Sequence, residues 1–166
     1  MTQSVAQLVM SAGQAANAGR WPEAEQLWQQ VRQLDPNNPQ ALFSLGIHAL
    51  QRGATEPGLK LLLAARSAAP HDKAVLLTLA NVYRQRNDAP AEREAIDAAL
   101  TADAYFVPAL LARANWLERH DTAAAAAETY RNALKISPPE SHWPSAHREQ
   151  LQHARQLVDR HAKSLT

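Results

Sequence analysis

Apolar residues recur along the chain at intervals of three and four, the spacing that builds one face of a helix. The pattern also returns over a longer interval. Asp35-Pro36, Ala69-Pro70, Asp103-Ala104 and Ser137-Pro138 close four similar segments, and the step from 36 to 70, 104 and 138 is 34 residues each time. The chain therefore divides into 5–38, 39–72, 73–106 and 107–140, each predicted to be two short helices joined by a turn. No segment has the period of two that marks a strand.

Equivalent positions carry equivalent chemistry. The fourth position of each unit is Leu8, Leu42, Leu76 and Leu110, and the eighth is Ala12, Gly46, Ala80 and Ala114. The twenty-fourth is Trp28, Leu62, Ile96 and Tyr130, and the twenty-seventh is Val31, Ala65, Ala99 and Ala133. Small residues let two helix backbones approach, and the large ones fill the space beside them. Gly19, Gly53, Asn87 and Asp121 share the fifteenth position, where residues tolerant of the left-handed conformation are expected to close the first helix. Pro22 and Pro90 stand where second helices start, and Pro39 and Pro108 where first helices start. A first-turn N–H has no intrahelical partner, so proline suits these places. Ten prolines in an Ala- and Leu-rich chain thus mark helix ends and do not argue against helix.

The spacing and these residues resemble the tetratricopeptide repeat (TPR) family. Pro39, Leu42, Leu45, Gly46, Gly53, Gly58, Leu62, Ala65 and Pro70 of the second unit follow that family's pattern. So do Gly19, Pro22, Ala24, Trp28 and Leu34-Asp35-Pro36 of the first. The resemblance covers 5–140 and implies an all-α fold, a right-handed α-solenoid of four helix-turn-helix repeats forming a single domain with a C-terminal capping helix. Departures are Glu92 at a position expected to be small, Ala104 in place of the closing proline, and Arg113 and Ser11 where Leu45 and Leu79 stand.

Residues 141–166 follow the last repeat. From Ser141 or Pro144 a helix is predicted to run through Ala146, Leu151, Ala154, Leu157, Val158 and Leu165 with one apolar face. A capping helix at about 144–165 would shield the last repeat's core, with Trp143 plugging the same edge. The segment from Pro138 to Val158 is also faintly similar to the connector after the repeats in bacterial aspartyl/asparaginyl β-hydroxylase-type proteins. That similarity implies an alternative, the substrate-positioning region of a longer iron oxygenase whose catalytic domain lies outside this chain.

Composition narrows the function classes. There is no Cys among 166 residues, so disulfides and thiolate metal sites are excluded, and a reducing, cytoplasmic setting is expected. Seventeen basic and 16 acidic residues leave a net charge of +1, which argues against a nucleic-acid or membrane-surface binder. Neither a transmembrane run nor, at Met1, Thr2, Gln3 and Ser4, a secretion signal is visible.

No catalytic constellation emerges, and the chain is expected to be non-catalytic with no cofactor. The seven His (His48, His71, His120, His142, His147, His153 and His161) include no i, i+4 pair and are expected at the surface. His147 and Glu149 point to opposite sides if helical, so they cannot chelate a metal. Glu23, Glu25, Glu92, Glu94 and Asp97 are expected to face solvent on second helices, and Arg84, Arg86, Arg93, Arg113 and Arg119 to form a solvated basic face. Phosphate loops and nucleophile elbows are absent.

A protein or peptide partner is expected in a concave groove lined by first helices. Its predicted lining is Phe43, Ile47, Leu50, Leu77, Asn81, Arg84, Leu111, Asn115 and Arg119. Asn81 and Asn115 sit one repeat apart, and an amide can both donate to and accept from a peptide backbone. The apolar cluster at Phe43, Ile47 and Leu50 suits an apolar side chain, burial by neighbouring helices, or a homo-oligomer contact. TPR members that grip acidic chaperone tails carry Lys at the fifth position. Val9, Phe43, Leu77 and Leu111 stand there instead, which implies no binding to such tails.

Overall fold

The computed structural model describes residues 4–164. Residues 1–3, where no secretion signal was read, and Leu165, assigned to the capping helix's apolar face, lie outside the described residues. Eight α-helices follow one another as α1 Val5–Asn17, α2 Trp21–Leu34, α3 Pro39–Gln51, α4 Thr55–Ala68, α5 Lys73–Gln85, α6 Ala89–Ala102, α7 Val107–His120 and α8 Ala123–Ile136. Two 3-10 turns, Glu140–His142 and Ser145–His147, lead into α9, Arg148–Ser164. Among the described residues there is no strand, and no helix is long and apolar enough to cross a membrane. The fold is all-α, built of helix-turn-helix repeats with a C-terminal helix. The chain forms two compact units, divided between Leu79 and Ala80 inside α5.

Helix ends follow from local chemistry. Ser4 caps α1 in a capping box with Gln7, and Asn38 accepts the Ala41 N–H at 3.1 Å to cap α3. Asp72 accepts the Ala74 N–H at 2.9 Å at the start of α5. One proline stands at the first or second position of α2, α3, α6 and α7. Gly19, Gly53 and Asn87 adopt φ of 74°, 79° and 57°, the left-handed geometry expected of them. Asp121 does not: its φ is −138°. Helix α7 runs through His120, so only Asp121 and Thr122 separate it from α8. Thr122 caps α8 by accepting the Ala125 N–H at 3.2 Å. The shorter connection needs no left-handed residue.

In the first unit, Leu8, Ala12 and Ala15 of α1 pack with Ala24, Trp28 and Val31 of α2 and with Ala41 and Leu45 of α3. Helices α3 and α4 meet at two glycines. A Cβ on Gly46 would stand 3.2 Å from Leu62, and one on Gly58 would stand 2.8 Å from Leu50 and 3.1 Å from the Gly46 carbonyl oxygen. Neither backbone could come so close with a side chain in the way.

In the second unit, Leu111 and Ala114 of α7 and Ala126, Ala127, Tyr130 and Ala133 of α8 join Trp143 and Leu151, Ala154 and Leu157 of α9. Trp143 is 3% exposed, and its indole N–H donates to the Pro138 carbonyl at 2.9 Å. The α-helix starts at Arg148, later than Ser141 or Pro144, because Pro144 and the two 3-10 turns first carry the chain around Trp143.

Candidate functional site

The nine residues assigned to a groove by register do not share one fate. In the first unit Phe43, Ile47 and Leu50 project from α3 and Leu77 from α5, all half-buried. Leu50 is committed to the helix pair itself, since it fills the space left by Gly58. Helix α3 also presents His48, whose ring stacks on Trp21 at 4.8 Å with planes 8° apart. Glu25 lies 3.4 Å from His48 Nε2 and 3.6 Å from Arg52. His48 is therefore a packed residue and not the surface histidine expected.

In the second unit Asn81 and Arg84 of α5 are exposed. Leu111 is not a groove residue: it is 2% exposed. Helix α9 lies against α7 and α8, so the fifth position that stays half-open in the preceding repeats is closed here by the C-terminal helix.

Asn115 and Arg119 belong to a polar network that links α6, α7, α8 and α9. Arg119 Nη2 donates to Glu92 Oε1 at 2.6 Å, and Nε donates to Asn115 Oδ1 at 3.2 Å. The adjacent Glu118 accepts through Oε2 from the Tyr130 hydroxyl at 3.1 Å and lies 2.9 Å from His153 Nε2. Burial pushes the Tyr130 phenol well above its ordinary value of 10.0, and the neighbouring Glu118 carboxylate pushes it further. Asn115 and Arg119 oppose that shift without cancelling it.

Glu92 is 3% exposed, which corrects its expected place on a solvated face. A carboxylate in that setting requires a counter-charge, and Arg119 supplies it. The basic face holds in part: Arg84 and Arg86 are exposed, while Arg93 and Arg113 are paired with a carboxylate. Arg113 lies 2.5 Å from Asp97, and Arg93 lies 3.6 Å from the same carboxylate. The Arg93 guanidinium also stands 5.0 Å above Trp116, whose indole N–H donates to the Ala89 carbonyl at 3.0 Å. The link between Glu118, Tyr130 and His153 escaped the sequence reading. Glu92 left a trace in it, as a charge at a position expected to be small.

No group of three or more metal-ligating side chains comes together among the described residues. What the first helices offer is a set of contacts: half-buried apolar side chains on α3, and exposed amide and guanidinium groups on α5.

The repeat itself has a counterpart in a known family. Residues 15–75 match the tetratricopeptide repeat model. That stretch covers the turn at Gly19, all of α2 to α4 and the start of α5, including both glycine contacts. Several solved structures share the architecture over most of the chain. A structure of MamA AMB-1 is 22% identical over 97% of this chain and 86% of its own, with a TM-score of 0.67. A tetratricopeptide repeat protein from Parabacteroides merdae ATCC 43184 is 15% identical, with a TM-score of 0.74 over 95% of this chain, which spans 60% of that one. A thermophilic TPR protein of Thermus thermophilus is 17% identical over 98% of this chain and 90% of its own, with a TM-score of 0.69. At these identities the likeness is one of fold. No curated protein matches the chain. None of these matches supports the similarity of the segment after the repeats to β-hydroxylase-type proteins.

Proposed function

We propose that the chain is a non-catalytic protein–protein interaction module that holds a peptide or protein segment on the first-helix faces of its repeats. The face in the first unit is apolar, around Phe43 and Ile47. The face in the second unit is polar, around Asn81 and Arg84. The observation that carries this reading is the exposure of Asn81 and Arg84 on α5, while Asn115 and Arg119 of α7 are already held by side chains of the fold. Both ends of an amide can pair with an extended backbone, and a guanidinium can pair with a carbonyl or carboxylate. The tetratricopeptide repeat match is consistent with this role, since repeat architectures of this kind present extended surfaces to other proteins.

The test begins with immobilised chain and identification of the proteins it retains. The double variant Asn81→Ala/Arg84→Ala should then lower affinity for the retained partner about tenfold or more, while its melting temperature stays near that of the parent. Unchanged affinity in this variant and in Phe43→Ala would refute a first-helix contact surface.

A further inference from the structure

Pro138 and Pro139 end the run of helix after α8, and the backbone then turns so that Trp143 folds back beneath it. Arg155 of α9 lays its guanidinium 4.9 Å above the Trp143 ring and forms an ion pair with Glu140. Between α8, the proline segment and α9 this leaves an open cleft of about 390 Å³. Pockets that take ligands span roughly 300–1,000 Å³.

The cleft has apolar walls and a charged rim. Leu134, Pro138 and Val158 form the walls, and Glu140, Arg155 and Asp159 stand at the rim. Two carboxylates against one guanidinium give it a net negative charge. Arg155 is held by the indole face and by Glu140, and the two charges of that ion pair offset each other. Asp159 is exposed and has no ion pair among the described residues. Asp159 therefore carries the net charge of the cleft lining, next to an apolar wall.

We infer that this cleft receives a basic side chain, Arg or Lys, from a partner protein. The alkyl stem lies along Leu134, Pro138 and Val158, and the cationic head pairs with Asp159. Such a side chain has the required mixed character, since its stem favours apolar surface and its head a carboxylate. The site is distinct from the first-helix faces and does not depend on them.

The test is an NMR titration of the isotopically labelled chain with a capped Ala-Arg-Ala peptide and with the same peptide carrying citrulline, which keeps the shape and lacks the charge. The Arg peptide should shift the Trp143 indole N–H signal and the backbone amides of 155–159. Binding should weaken about two- to fivefold with citrulline, and by the same factor in Asp159→Asn, as expected for an exposed ion pair. Asp159→Glu should retain binding. Equal binding of the two peptides to the parent chain would overturn the assignment without need of any variant. So would shifts confined to another part of the chain, or an Asp159→Asn chain that melts normally and binds as the parent does.

Discussion

Arg119 Nη2 lies 2.6 Å from Oε1 of Glu92, a residue 27 positions earlier and 3% exposed. The contact ties the start of α6 to the end of α7 and accounts for a carboxylate where the repeat pattern asks for a small side chain.

The two partners are not equivalent. Glu92 is 5% exposed at its side chain and Arg119 35%. Arg119→Ala strands a buried carboxylate and should cost roughly 2–4 kcal/mol. Glu92→Ala leaves an arginine that can reach water and should cost less. Denaturant melts of both, and of the double variant, measure the asymmetry; equal losses would mean that Glu92 finds another partner or water.

Gly58→Ala tests the closest approach of α3 and α4. The new methyl would sit 2.8 Å from Leu50 and 3.1 Å from the Gly46 carbonyl oxygen. Overpacking of this kind costs about 1–3 kcal/mol, more than the gain of about 1 kcal/mol in helix propensity. Adding Leu50→Ala should recover only part of the loss, because the carbonyl contact is backbone and cannot yield. Thermal unfolding of the single and double variants is the measurement.

Tyr130 should resist ionisation. Its folded-state phenol is raised above the ordinary 10.0, chiefly by burial and then by Glu118. An unfolded chain ionises this phenol near the ordinary value while the folded chain keeps its proton. Stability from this group is therefore present below about pH 10 and falls as pH rises above it. Ultraviolet titration should show one of the three tyrosines still protonated until the chain unfolds, and Tyr130→Phe should remove that resistant phase.

Two turn residues at the same repeat position should respond oppositely to glycine. Asn87 has φ of 57°, so Asn87→Gly should be neutral or stabilising, and Asn87→Ala should cost about 1 kcal/mol. Asp121 has φ of −138°, which any residue adopts. Asp121→Gly should then destabilise by about 0.5–1 kcal/mol through backbone entropy alone. A gain in stability at Asp121 would contradict the turn geometry.

The helical architecture was legible because each repeat restates it. Leu8, Leu42 and Leu76 are buried at the fourth position, as are Trp28, Leu62, Ile96 and Tyr130 at the twenty-fourth. The contact set was less legible. Register alone puts Leu111 beside Phe43 and Leu77, yet α9 covers only the last of these positions. Register likewise treats Asn115 and Arg119 as outward-facing, although Glu92 and Tyr130 from other helices engage them.

Periodicity and helix-end chemistry by themselves determined where the helices of the first three repeats start, stop and bury a face, because capping, proline geometry and the spacing of apolar residues act within a few positions of one another. Only the tertiary structure decided which charges are buried and paired, which groove positions stay open, and where a cleft forms beside α9. Those outcomes depend on residues as far apart as Glu92 and Arg119, or Glu118 and His153, and no local pattern records such distances.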